Sequence, residues 1–143
     1  MKLVVLSHGG YGHGLLDICR MIMGDVSDIL TLSLSADQGV AAFEVELASL
    51  IQNMHGPYLI LCDLFGGTPF NSAVRMAHGD IQTGKCQILT GVNAPMLLEL
   101  VSVMSNGQKM PLEELKCIAI YAGQEGIREL YNSVSGNDED EIL

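Results

Sequence analysis

Apolar positions fall in two alternating patterns along the chain. Leu3-Val4-Val5-Leu6-Ser7 is a short, continuous, β-branched run and predicts a buried strand. After a glycine-rich break, Leu15, Leu16, Cys19, Ile22 and Met23 recur at helical spacing, and Gly24-Asp25 ends that helix. Ile29 to Leu34 alternates apolar and polar residues, as a half-buried strand does. Ser35-Ala36-Asp37 is expected to open a long helix with the stripe Val40, Phe43, Leu47, Leu50, Ile51 and Met54, broken by Gly56-Pro57. Tyr58 to Cys62 and Cys86 to Thr90 read as two further strands. Between them Thr68-Pro69 starts a helix: threonine can cap, and proline suits a first-turn position whose N–H would lack a partner. Ala94-Pro95 starts another, which Ser105-Asn106-Gly107 ends. Leu112, Leu115, Ala119 and Ala122 mark a helix expected to be interrupted at Gly123 and Gly126, and Ile127 to Tyr131 reads as a short final strand.

Strands alternating with helices imply an α/β fold, a mostly parallel, doubly wound sheet with helices on both faces. In such sheets, ligands and chemistry collect at the carboxyl ends of the strands. Two corners there carry reactive groups. The first strand stops at His8-Gly9-Gly10, where two glycines let another molecule approach the imidazole. The third runs into Asp63-Leu64-Phe65-Gly66-Gly67-Thr68-Pro69-Phe70-Asn71. A carboxylate at Asp63 can accept an imidazole Nδ1–H, fix the tautomer and leave Nε2 free to attack phosphorus. Gly66, Gly67 and Thr68 lead into a helix N-terminus, where main-chain N–H groups bind anions without a basic side chain; Gly9 is expected to join them. Either residue alone has a plainer reading, a polar rim histidine or a loop aspartate; the pairing points to phosphoryl transfer through His8.

Composition narrows the picture. The 143 residues suit one domain, and 48% hydrophobic content excludes disorder. A formal charge of −10 argues against nucleic-acid binding and permits docking to a basic protein. No apolar run is long enough to span a membrane and no signal peptide is evident, so the protein reads as cytoplasmic. Cys19, Cys62, Cys86 and Cys117 form no C-x-x-C pair and read as reduced core thiols. The glycines fit neither the P-loop nor the dinucleotide fingerprint, so no nucleotide cofactor is expected. His8, His13, Cys62 and Asp63 match no standard zinc spacing, and no metal or other cofactor is expected. Ser7 stands where histidine phosphatases carry arginine. No Lys or Arg lies in either corner, which suits a relay that must release its phosphoryl group.

Four segments then make the chain resemble the IIA component of the mannose-family sugar phosphotransferase system: Val4-Val5-Leu6-Ser7-His8-Gly9, Asp63 to Asn71, Gly91-Val92-Asn93-Ala94-Pro95-Met96-Leu97, and Gly123-Gln124-Glu125-Gly126. They span roughly residues 1 to 130. The resemblance implies that His8 takes phosphate from the histidine phosphocarrier protein and passes it to a IIB component, with Asp63 the paired carboxylate and Thr68 a hydroxyl near the phosphate. It implies a homodimer that exchanges a C-terminal antiparallel strand, expected at Ile127 to Tyr131. The membrane is reached only indirectly, through the transporter components, and IIB is expected on a separate polypeptide. Residues 1–132 are read as the phosphotransfer domain and 133–143 as an acidic, flexible tail. A phosphotransfer subunit of a dihydroxyacetone kinase is the alternative.

Overall fold

A computed structural model describes residues 1–107 and 109–133. Four strands, β1 (Lys2–His8), β2 (Ile29–Leu34), β3 (Tyr58–Cys62) and β4 (Cys86–Thr90), form one parallel sheet in the order β2-β1-β3-β4. Leu3 lies between Ile29 and Leu59 in register, so the central strands are aligned by their apolar runs. Successive side chains leave the pleat on opposite faces. Leu3, Val5, Leu59 and Leu61 pack beneath α1 (Tyr11–Met23), α5 (Ala94–Ser105) and α6 (Leu112–Glu125). Val4, Leu6, Ile60 and Cys62 pack beneath α2 (Val40–Gln52) and α3 (Thr68–Met76). Each of these large aliphatic side chains is fully buried, which contributes roughly 1.5–3 kcal/mol apiece. A five-residue helix, α4 (His78–Gln82), bridges α3 to β4, and its Asp80 accepts a 2.6 Å hydrogen bond from the buried Tyr58 hydroxyl.

Strand order fixes where a site can form. The chain moves outward from β1 to β2 in one direction, and from β3 to β4 in the other. The carboxyl ends of β1 and β3 therefore flank the point where the winding reverses, leaving a crevice between the two corners.

Four expectations need correction. The Ser35-Ala36-Asp37 helix start is a turn instead, with Gln38 N–H donating to Ser35 O (3.1 Å); α2 begins only at Val40, after extended Gly39. Thr68 does not cap α3: it is the first helical residue, the capping position is Gly67, and no side chain caps that end. Gly123 does not interrupt α6, which runs through it to Glu125, because the glycine lets α6 approach α5 closely: a Cβ there would sit 3.0 Å from Met96 Cε. Ile127 to Tyr131 is not a strand: residues 127–129 are irregular and Leu130–Ser133 forms a short helix, α7. An extended segment needs a sheet edge to satisfy its N–H and C=O groups, whereas a helical turn satisfies them locally. Among the described residues the sheet is wholly parallel. The acidic tail expected from 133 lies outside the described residues beyond Ser133.

Candidate functional site

His8 is the last residue of β1, and Asp63 directly follows β3. The parallel ladder extends one step past β3, because Asp63 N–H donates to Leu6 O (3.1 Å). That step brings the carboxylate to the end of β1. Asp63 Oδ2 accepts from His8 Nδ1 at 2.8 Å and from the His8 main-chain N–H at 2.8 Å, while Oδ1 accepts from Leu64 N–H at 2.9 Å. A carboxylate can only accept here, so the proton on the imidazole lies on Nδ1 and the Nε2 lone pair is free. Among the described residues nothing bonds Nε2. The Asp63 side chain is 11% exposed and the His8 side chain 44%, so a shielded acceptor holds a ring whose far edge faces solvent.

The second corner lies against that ring. Gly66 adopts φ +78°, and its carbonyl accepts from Asn71 Nδ2 (3.1 Å), which ties the loop to α3. Gly67 passes under the imidazole: a Cβ there would be 2.9 Å from His8 Cε1 and 3.6 Å from Nε2. Gly67 and Thr68 begin α3, whose first N–H groups have no intrahelical acceptor and carry the positive end of the helix dipole. Gly9, at φ +55°, turns the chain away from β2 after its N–H donates to Leu34 O (2.8 Å). Of the residues predicted from sequence, His8, Asp63 and Gly67 are thus in contact, and Gly9, Gly66 and Thr68 are the next residues along the same two corners.

Among the described residues the ion pair made by Asp63 is with His8, and the two arginines on the helices that follow the corners are engaged elsewhere. Arg75 pairs with Glu44 across α3 and α2, and Arg20 pairs with Asp17 on α1 (3.1 Å). The Arg75 and Ser72 hydrogen bonds hold the Glu44 carboxyl below its ordinary range. Their effect is to fasten α3, which begins at Gly67 and Thr68, to α2. Cys62 is not part of the site: it lies in the core, where burial, and then the Asp63 charge, pushes its thiol up to about 12. Cys117, expected in the core with the other cysteines, is instead exposed, because it falls on the outer face of α6. His13 lies on α1 with Nδ1 3.5 Å from Thr31 Oγ1. Among the described residues, no three His, Cys, Asp or Glu side chains cluster as metal ligands would, and no helix is long and apolar enough to cross a membrane.

Sequence reasoning missed three features: the His8 main-chain N–H on Asp63, the contact of Gly67 with the ring, and a hydrogen bond from Tyr11 Oη to Val92 O (2.6 Å). The double glycine before Thr68 was the available signal for the second. The other two depend on backbone placement, which residue types do not encode.

The chain and its fold are similar to those of several known proteins. The chain is 27% identical over 134 residues to the mannose-specific EIIAB component of the phosphotransferase system of Escherichia coli, which covers 91% of this chain and 39% of that protein. The chain thus spans about two fifths of the length of that relative. It is 25% identical over 105 residues to the fructose-specific EIIA component of Bacillus subtilis, covering 72% of this chain and 70% of that one. Among solved structures, the mannose/sorbose-specific IIA subunit from Enterococcus faecalis superposes with a TM-score of 0.76 at 28% identity, over 90% of this chain and 93% of the other. The EIIA component from Streptococcus agalactiae gives a TM-score of 0.77 at 25% identity, over 92% and 98%. The family model EIIA-man, described as the fructose IIA component of the phosphotransferase system, matches residues 2–116, and the chain belongs to that family.

Proposed function

We propose that this protein is a phosphoryl carrier that accepts PO3 on His8 Nε2. The observation that carries the reading is the 2.8 Å bond from His8 Nδ1 to a shielded Asp63 oxygen, with Nε2 left open. In the transfer, the Nε2 lone pair forms a bond to phosphorus as the P–N bond of the donor phosphohistidine breaks, and the donor ring keeps that electron pair. Asp63 orients the ring and stabilises the positive charge that develops on it; it removes no proton. Main-chain N–H groups at Gly67 and Thr68, the Thr68 hydroxyl and the loop at Gly9 and Gly66 supply dipoles to the transferred oxygens. Dipoles without a fixed cation stabilise the group in passage more than at rest, so it stays transferable.

The donor in this reading is the histidine phosphocarrier protein and the acceptor a IIB component, in the service of sugar uptake. Residues 1–132 act as the phosphotransfer domain. A homodimer belongs to the same reading, supported by Tyr121, Ile127 and Tyr131, which stand 68%, 83% and 88% exposed at one end of the chain.

The test is reconstitution with phosphoenolpyruvate, enzyme I and the phosphocarrier protein. One acid-labile, base-stable phosphate per chain is expected, none in His8→Ala, and transfer slowed by roughly 10²–10⁴-fold in Asp63→Asn, through the wrong tautomer and lost charge stabilisation. Full labelling of His8→Ala, or an Asp63→Asn variant as fast as the parent, would sink it.

A further inference from the structure

Tyr11 is the first residue of α1 and follows His8 by three positions. The residue is 45% exposed, yet its hydroxyl donates to Val92 O at 2.6 Å, across the crevice in the loop between β4 and α5. Val92 is itself buried, and its N–H donates to Cys62 O at 3.1 Å. Cys62 is followed by Asp63, and Asp63 accepts both His8 N–H groups. Together these bonds close a circuit: His8, Gly9, Gly10, Tyr11, Val92, Cys62, Asp63 and back to His8.

We infer that the Tyr11 hydroxyl is a positioning group for the His8–Asp63 pair, acting through Val92 and Cys62. The inference rests on the reading of His8 as the phosphoryl acceptor. Two glycines separate His8 from α1, so the chain itself does little to fix the angle at which β1 hands over to the helix. The helix is anchored to β1 independently, since Gly12 N–H donates to the buried Ser7 Oγ at 2.9 Å. Tyr11 therefore contributes something other than attachment of α1. It sets the spacing between the corner bearing His8 and the loop that supports Asp63. A phenol is a rigid lever with two side-chain torsions, which suits that task. The residue touches neither reacting atom and is not catalytic.

Tyr11→Phe keeps the ring and its packing and removes only the hydroxyl. The His8 ring nitrogens of the unphosphorylated protein, followed by long-range proton–nitrogen NMR, report the pair directly, whatever the protein transfers. The parent is expected to show the Nδ1–H tautomer with a slowly exchanging proton. Tyr11→Phe is expected to show faster exchange and a mixed tautomer, with little change in melting temperature. Single-turnover acceptance from the phosphorylated phosphocarrier should fall about tenfold in rate at saturation, with the half-saturating donor concentration unchanged, as misorientation without lost binding requires. Unchanged ring-nitrogen signals overturn the inference even if the rate falls, because Tyr11 would then be acting on the partner instead. Should the parent take no phosphate on His8, the proposed function fails, and the NMR comparison alone decides whether Tyr11 sets the pair.

Discussion

Two regions of the molecule use glycine to bring other groups closer than any side chain would permit, and they do so for different ends. In the crevice, Gly67 lies beneath the His8 imidazole, a ring that can turn about its own torsions. At the joint between α5 and α6, Gly126 lies against the Pro95 ring so closely that an added Cβ would overlap it. That joint is completed by Asn93, whose side chain accepts from Met96 N–H and donates to Gly123 O, each at 3.0 Å. A rotatable ring yields to intrusion by changing its aim; a proline locked into a helix start yields only if the helices part. The same residue type therefore governs the aim of a ring in one place and the packing of two helices in the other.

Within this comparison the larger effect on transfer is expected from Gly67→Ala. The new methyl needs space 2.9 Å from His8 Cε1, and the cheapest response is rotation of the imidazole away from Asp63. Phosphoryl acceptance should fall on the order of 10²-fold, the scale of a misplacement near 1 Å. Gly67 already has φ −75°, so alanine is not strained there and the thermal midpoint should hardly move. Rapid-quench transfer beside a thermal melt separates the two. A midpoint that collapses while the surviving protein transfers at full rate would reverse the contrast.

Gly126→Ala is its counterpart. Its φ of −70° also suits alanine, so the cost comes from contact, chiefly with Pro95 and to a lesser degree with Ala122 O. Overpacking against a rigid ring should remove about 1–3 kcal/mol of stability, measured by urea unfolding. The folded fraction should transfer at the parent rate, since the joint supplies no group to His8.

These contrasts also show what could be read from the residues. The bounds of β2, β3 and β4 match the expected Ile29–Leu34, Tyr58–Cys62 and Cys86–Thr90: β3 is a continuous apolar run buried on both faces, and the half-buried edge strands β2 and β4 are short apolar-rich runs set off by turn residues. The strand ends in turn point to the crevice, and so to His8 and Asp63, through topology alone. Whatever depended on contacts between distant segments was hidden. Gly123 looks like a helix breaker until α5 is seen to need the space. Ile127 to Tyr131 has strand-like residues, but strand formation requires an edge to pair with, and no local pattern records whether one is within reach. Thr68 has the chemistry of a cap, yet the helix begins one residue earlier than a Thr68 cap would place it, with Gly67 extended beneath the imidazole at the capping position.

Asn93→Ala is the smallest and the most discriminating change. Loss of its N-cap bond to Met96 should cost about 1 kcal/mol, with a further contribution from the lost, partly buried bond to Gly123 O. Asn93 adjoins Val92, which holds Cys62 and receives Tyr11, so it is where the joint and the crevice meet along the chain. The Val92 main chain is fixed by its own two bonds, and the side chain of Asn93 reaches only α5 and α6. Stability and transfer should therefore separate: unfolding midpoints shift while the transfer rate at a temperature well below the melt stays within a factor of about two. A transfer loss as deep as that of Gly67→Ala would mean that the joint sets the angle of the β4–α5 loop. The two glycine contacts would then be parts of one device rather than two.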